Sequence, residues 1–349
     1  LLHFHIGSQI NAISVIKEAM REACQIYVEL ASLGAPMGYL DVGGGLGIDY
    51  DGSKTSSQDS KNYSIQNYAN DVVAHVKDAC VATGVPMPTL VSESGRAIAS
   101  HQSVLIFDVL GTSEATPEKD PTPYQDGEHN LIRELWDVYT SVNAENYQAA
   151  FNDAVQFKKE AASLFNLNYL RLAERARVER LYWGCCKKVV ALLETQDYVP
   201  EELEHLSKSM ASIYYLNLSL FQAALDSWAI GQLFPIMPIH RLNEAPTQRA
   251  TLADLTCDSD GKINRFISKK GAKDVLELHP LKIGEPYYLG LFLVGSYQET
   301  IGNLHNLFGN INTVHVHLAS KAKAKQGYTI EHVVRGNTTD EVLQQMQYN

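Results

Sequence analysis

Tyr39–Ser53 reads YLDVGGGLGIDYDGS, a short apolar run that breaks into Gly43, Gly44 and Gly45. The run Met37–Val42 is strand-like, and the glycines after it offer backbone N–H groups with no Cβ in the way. A loop of this kind can approach a phosphate closely, and a plain tight turn accounts for it as well. It lacks the Gly-Lys-Ser/Thr of a Walker A loop and is not a clean G-x-G-x-x-G dinucleotide fingerprint. On one side Leu1–Ile6 is strand-like, and Val15–Leu33 places Ile16, Ala19, Ala23, Ile26, Tyr27 and Leu30 at helical spacing. On the other, Asn67–Thr83 reads as a helix and Thr89–Ser92 as a strand that runs into Glu-Ser-Gly-Arg. The order β-α-β-α-β predicts a parallel sheet with crossover helices. His-Phe-His-Ile-Gly-Ser, Asp-Val-Gly-Gly-Gly and Ser-Glu-Ser-Gly-Arg each fall at or just after a strand's carboxyl end. Barrels of the (β/α)8 type and doubly wound sheets carry their active sites there.

Beyond Val104–Leu110 the character changes. A turn-rich stretch, Thr112–Glu128, leads into helical patterns from Leu131 to about Met210 that hold Trp136, Tyr139, Phe151, Phe157, Leu164 and Leu181 among many charges. These predict a helical insertion that packs. Strand patterns return at Tyr214–Leu220, Leu233–Pro238, Ala250–Thr256, Tyr287–Val294 and Thr313–Leu318, separated by Gly, Pro and Asn turns. The expected fold class is α/β plus β. Residues 1–111 are the carboxy-terminal portion of a (β/α)8 TIM-type barrel, 112–211 a helical-bundle insertion, and 212–349 a β-sandwich or barrel-like domain.

A length of 349 residues exceeds what one hydrophobic core usually serves, and 45% hydrophobic residues supply real cores. The net charge of −11 argues against a general nucleic-acid binder, since phosphate binding needs clustered Lys and Arg. The one basic cluster, Lys321–Lys325, is short and reads as a turn. Acidity also favours accumulation of a cationic small substrate. Five cysteines without regular spacing (Cys24, Cys80, Cys185, Cys186 and Cys257) fit a reducing, cytoplasmic compartment, and Cys185–Cys186 is expected to pack on a helix. No apolar run reaches membrane-span length. The start, LLHFHIGSQI, has no basic n-region or cleavage site and reads as a chain entered midway through a domain.

Taken singly, the chemistry-bearing residues stay ambiguous. Glu93 and Arg96 place a carboxylate and a guanidinium three residues apart, which a structural ion pair explains equally well. His5, expected on a strand between Phe4 and Ile6, has the setting of a satisfied core histidine. Ser8 stands at a turn where its hydroxyl caps a helix or binds phosphate. Cys257-Asp258-Ser259-Asp260-Gly261 closes an apolar strand with a thiol beside two carboxylates, without the oxygen spacing or distal Glu of a calcium loop.

Taken in order, these segments resemble the fold-type III pyridoxal-phosphate decarboxylases. The details LLHFHIGSQ, YLDVGGGLGIDYDGS, SESGRA, NLSLFQ, LTCDSDG and GSYQETIGNLHNLFG are similar to the biosynthetic arginine decarboxylases of bacterial and plant type. The resemblance implies a lyase that converts L-arginine to agmatine and CO2 for polyamine synthesis, with pyridoxal 5'-phosphate as cofactor. A magnesium requirement is implied by the resemblance alone, and no metal ligands are named. It also implies roles at matching positions. His5 stacks on the pyridoxal ring; Ser8, Gly43, Gly44, Gly45, Arg96 and Tyr297 hold the phosphate; Glu93 pairs with the ring nitrogen. Cys257 donates a proton and, with Asp258, enters from a second subunit of a homodimer or larger homo-oligomer, while Asp226 and Asp258 bind substrate. Ser296 stands where the family usually has Ala, and Leu225 where it has Pro. The Schiff-base lysine is expected upstream of residue 1, because the lysines here fall in helices, polar loops, the insertion and beyond Cys257; the chain alone is then inactive. Ornithine, lysine or diaminopimelate as substrate, or a non-catalytic regulatory paralogue, are the other readings.

Overall fold

The structure, a computed structural model, describes residues 1–114, 120–193, 203, 206–269, 271–320 and 326–348. The Lys321–Lys325 cluster and Lys270 lie outside the described residues. Strands β1 (Leu2–His3), β2 (Tyr39–Asp41) and β3 (Thr89–Val91) form a parallel sheet in the order β1-β2-β3, with Leu2 opposite Leu40 and Leu40 opposite Leu90. Helices α1 (Ile13–Ser32) and α2 (Ile65–Thr83) are the crossovers. Each buries one stripe against Leu40 and Val42: Ile16, Met20, Cys24 and Tyr27 from α1, and Val72, Val76 and Cys80 from α2. Ser64 starts α2 by accepting from the Asn67 N–H at 3.0 Å, while the Asn67 side chain caps back, so two otherwise orphaned N–H groups are satisfied. The short helix α3 (Gly95–Ala99) follows β3.

Two strands differ from their expected extent. Leu1–Ile6 shrinks to two paired residues, so His5 lies past the strand end and is exposed, not a core histidine. The other, β4 (Val104–Ser113), does not join the parallel sheet. It pairs antiparallel with β5 (Ser212–Leu216) and with β12 (Tyr288–Phe292), so the boundary expected at residue 111 falls inside a strand of the second sheet. Its alternation explains this: Leu105, Phe107 and Val109 are buried in the large core while Val104, Ile106 and Leu110 are exposed.

Helices α4 (Asn130–Ser141), α5 (Tyr147–Asn166) and α6 (Leu172–Leu193) form the bundle, with the single turn α7 (Leu206–Ser209) after them. Val178, Leu181, Cys185 and Val189 line the buried stripe of α6. Burial pushes the Cys185 thiol up to about 12 and that of Cys186 up to about 11, so both stay protonated and unreactive, as packed cysteines do. Glu174, in the first turn of α6, gathers the Arg171 guanidinium and the backbone N–H groups of Arg171 (2.9 Å) and His129 (3.1 Å). These contacts outweigh desolvation and hold its carboxyl at about 2. A carboxyl whose folded value is depressed stabilises the native state above its unfolded value and loses that contribution as pH falls. The bundle should therefore lose about 1 kcal/mol between about pH 5 and 2, after allowance for solvent screening. Acid melts of the wild type and of Glu174→Gln check this; parallel curves for the two proteins would remove Glu174 from the acid response.

The second sheet runs in the order β11 (Leu276–Leu278), β7 (Gln248–Ala253), β5, β4, β12, β6 (Ile236–Pro238), with β8 (Lys262–Ile263) on β7. All of its pairs are antiparallel except β5 with β7. A small hairpin, β9 (Phe266–Ser268) with β10 (Gly271–Lys273), precedes β11. Between β5 and β6 the chain forms the short helices α8 (Leu220–Ala223) and α9 (Leu225–Ala229), and α10 (Gln298–Ile301) follows β12. A separate hairpin, β13 (Thr313–Leu318) with β14 (Tyr328–Val334), and α11 (Thr339–Gln345) complete the described chain. The two sheets meet at the loops of the first. Asp59 accepts from Gln232 Nε2 at 2.8 Å and from the Leu233 N–H at 3.1 Å, while Ile48 and Tyr50 belong to the large core.

Candidate active site

Three parallel strands deliver their carboxyl ends to one edge, and the loops that leave β1, β2 and β3 carry His5 and Ser8, Gly43–Gly45, and Glu93 with Arg96. The glycine loop is held by close approach. Gly43 and Gly45 have φ of +66° and +90°, and a Cβ on either would run into the carbonyl of Phe4 or of Gly7. The Gly43 N–H donates to Asp41 Oδ1 at 2.9 Å and the Gly44 N–H to His5 Nδ1 at 3.2 Å. Those two groups orient Asp41 and the His5 ring, so of the three amides expected to bind phosphate two have internal acceptors. Among the described residues none accepts from the Gly45 N–H.

Arg96 sits at the centre. It is 7% exposed; Nη1 donates to the Tyr50 hydroxyl at 2.9 Å and Nη2 to Ser8 Oγ at 3.3 Å. Its Nε is buried with no hydrogen-bond partner, and its guanidinium carbon lies 4.9 Å from the centre of the Tyr297 ring. No carboxylate among the described residues pairs with it. A buried cation with a free donor, a serine hydroxyl and a spare backbone N–H beside it needs an anion. A phosphate group, such as that of a pyridoxal cofactor, fits that need. Ser8 is no helix cap, since α1 starts after Ala12. Tyr297 stands at φ +70° before α10. Its position is fixed by Ser296, whose buried hydroxyl lies 2.6 Å from Ser100 Oγ and donates to the Arg96 carbonyl at 3.2 Å. The departure from alanine at this position thus adds a pin between α3 and the Tyr297 loop.

Glu93 is exposed, and its backbone is tied to the glycine loop through a 2.8 Å bond from its N–H to the Gly43 carbonyl. Two groups that the sequence did not single out stand beside it. His3 Nδ1 lies 2.8 Å from Asp41 Oδ2, and the ligating atoms of His3, Asp41 and Glu93 fall within 4.8 Å of one another. Burial pushes the Asp41 carboxyl up, but the Gly43 N–H and the His3 ring outweigh it and hold the group below its usual value. The available signal for His3 was its place two residues before His5 in the same strand-end segment.

Asp226, Cys257 and Asp258 are carried by the second sheet's connections, Asp226 at the start of α9 and the other two in the segment after β7. Asp226, at the start of α9, is 6% exposed. Its Oδ2 accepts from Gln298 Nε2 at 2.7 Å and its N–H donates to Gln298 Oε1 at 3.0 Å. No cation among the described residues pairs with that carboxylate. Cys257 is exposed and belongs to a turn, because β7 ends at Ala253 and not at the thiol. No hydrogen bond, ion pair or ring contact among the described residues joins Cys257 or Asp258 to the cradle.

Two family models match segments of the chain. Residues 2–100 match the pyridoxal-binding domain of the pyridoxal-dependent decarboxylases, and residues 125–207 the arginine decarboxylase helical bundle domain. The biosynthetic arginine decarboxylase of Nostoc sp. is 64% identical over 349 residues, which is all of this chain and 50% of the relative. That of Thermosynechococcus vestitus is 66% identical over 348 residues and 54% of its length. The chain therefore spans about half the length of the curated relatives it matches. A crystal structure of the biosynthetic arginine decarboxylase from Campylobacter jejuni superposes with a TM-score of 0.82 at 35% identity, over 99% of this chain and 55% of that one. The diaminopimelate decarboxylase of Helicobacter pylori, at 14% identity and a TM-score of 0.53 over 99% of this chain and 54% of that one, shares the fold.

Proposed function

This chain resembles the biosynthetic arginine decarboxylases along its whole length, and on that premise we propose that it takes part in the pyridoxal-phosphate-dependent decarboxylation of L-arginine to agmatine. The observation that carries the reading is Arg96, a buried guanidinium whose Nε has no partner beside Ser8 and the glycine loop. On this reading residues 1–103 are part of a (β/α)8 barrel, the bundle is an insertion, and the sheet domain supplies the substrate side. The setting is the cytoplasm and the product feeds polyamine synthesis. Among the described residues no helix is long and apolar enough to cross a membrane.

Bound in the cradle, pyridoxal phosphate supplies the electron sink for the pair left behind as CO2 departs. The chain's own groups do the rest. Arg96, Ser8 and the Gly45 N–H bind the phosphate. His5, its Nδ1 occupied by the Gly44 N–H, faces the ring, and Glu93 holds a proton at the ring nitrogen. Asp226 presents a buried carboxylate without a counter-charge, which a substrate's cationic end provides. Cys257 is an exposed thiol that returns a proton to the carbon, and it does so with Asp258 across a subunit interface. That placement rests on the resemblance, which brings these two groups in from a second subunit.

Two experiments on the full-length protein test the proposal. Assay against arginine, ornithine, lysine and diaminopimelate should give agmatine as the main product, and a higher kcat/KM for another amino acid would overturn the substrate. Mixing the weakly active Glu93→Ala and Cys257→Ala proteins should restore part of the activity, since each variant spoils a different half of a shared site. No recovery, with subunit exchange demonstrated, would place the whole site within one subunit.

A further inference from the structure

Two adjacent residues of one loop meet two adjacent residues of another, and packing alone does not ask for the match. His305 Nε2 lies 3.6 Å from Asp258 Oδ2, and the Asn306 side-chain amide lies 3.7 Å from Cys257 Sγ. The turn that makes both contacts is left-handed, with Asn306 at φ 52°, which asparagine tolerates, and Leu307 at φ 61°, which a bulky side chain avoids. Such backbone persists where surrounding structure holds it in place, and it clusters at functional sites. The His305 ring is fixed by tilted packing on Phe221, with ring centres 4.3 Å apart, and Phe221 in turn packs on Trp228 at 5.1 Å. Its Nε2 is nevertheless buried with no hydrogen-bond partner. A phenylalanine would fill the same space without an unsatisfied nitrogen, so the nitrogen is a cost that packing does not explain.

We propose that His305 is a positioning residue for Asp258, aiming that carboxylate at the cationic end of the substrate. The geometry shows how. The Asp260 N–H donates to Asp258 Oδ1 at 2.9 Å, so one oxygen is already held by backbone. The Nε2–H tautomer of His305 donates to the other oxygen once the 3.6 Å gap closes by a few tenths of an ångström. A carboxylate has about four lone-pair sites, and two such bonds fix its plane while leaving two sites facing outward. That is the arrangement a planar guanidinium pairs with in bidentate fashion. Asn306 sets Cys257 in the same way, so one strained turn registers both groups of the pair.

The inference rests on the arginine decarboxylase reading, and its test separates the two. In the full-length enzyme, His305→Phe keeps the ring contact with Phe221 and removes the nitrogen. It should raise KM for L-arginine by about tenfold and weaken agmatine binding, measured by calorimetry, by a similar factor, the change that goes with one charge-assisted hydrogen bond. Turnover at saturation should stay within about threefold, because the group acts on binding and not on the reacting carbon. His305→Gln, which retains an N–H donor, should recover most of the affinity. Wild-type KM and agmatine affinity in His305→Phe would overturn the proposal and leave the ring a packing residue, as would a loss in kcat alone. A wild-type enzyme inert toward arginine would sink the functional reading, and this inference with it.

Discussion

Glu93→Ala should leave the fold intact and lower turnover by about 100- to 1,000-fold, the loss seen when one oriented charge-stabilising group is removed from an active site. Its backbone, which the substitution keeps, ties β3 to the glycine loop through the bond from its N–H to the Gly43 carbonyl. Its carboxylate is exposed, so its loss costs little stability. The environment of that carboxylate explains the expected effect. Asp41, held below its usual value, and His3 stand within 4.8 Å of it. A second negative charge so close makes the site hospitable to a proton on whatever lies against Glu93, which is the condition for a protonated ring nitrogen. Glu93→Gln keeps the shape without the charge and should fall nearly as far. The readouts are CO2 release at saturating arginine and an unchanged thermal melt. Near-wild-type turnover in Glu93→Ala would remove the residue from the mechanism.

The parts of the fold that sequence made legible are those with one dominant period. Helix α1 was expected at 15–33 and spans Ile13–Ser32, and β13 matches its expected limits, because the apolar spacing along each is uninterrupted. Strands β8 to β11 were missed. They run for two or three residues, too short for an alternation to register, and tertiary pairing defines them. Tyr214–Leu220 was read as one strand, yet Leu220 opens α8, whose N–H bonds to the buried Asp254 carboxylate at 2.9 Å. No local pattern carries a contact 34 residues away. The allegiance of β4 was hidden for the same reason, since its partners lie more than a hundred residues on.

The site divides along the same line. Glycines and a Glu-x-x-Arg pair at strand ends are local signals, and the parallel sheet brings them together because all three strands point one way. The pairings that give them meaning are long-range: Arg96 with Tyr50 and Tyr297, Asp226 with Gln298, His305 with Asp258. Gln298 shows the limit well. It adjoins the conspicuous Tyr297, yet nothing in its neighbourhood says that its amide meets the backbone N–H and the side-chain carboxylate of one residue 72 positions away.

Arg96→Ala should weaken binding of pyridoxal phosphate by about 100- to 1,000-fold, the expected loss of two charge-assisted hydrogen bonds to a dianion. Without the anion Arg96 is a liability, being buried, charged and short of one acceptor at Nε. Removing it from the cofactor-free protein therefore relieves a desolvation cost while it strands the Tyr50 hydroxyl and Ser8 Oγ, so the melting temperature of that form should move by only a few degrees. Melting in saturating pyridoxal phosphate should part the two proteins, since a ligand that binds only the folded state stabilises it in proportion to the logarithm of its affinity. Arg96→Lys should recover little. The guanidinium offers Nη1 to Tyr50, Nη2 to Ser8 and Nε to the phosphate, and a single ammonium at the end of a flexible stem cannot replace that fork. Fluorescence titration of full-length protein with the cofactor gives Kd directly. An unchanged Kd in Arg96→Ala would mean that the buried cation waits for a different anion, and the assignment of the cradle would fall with it.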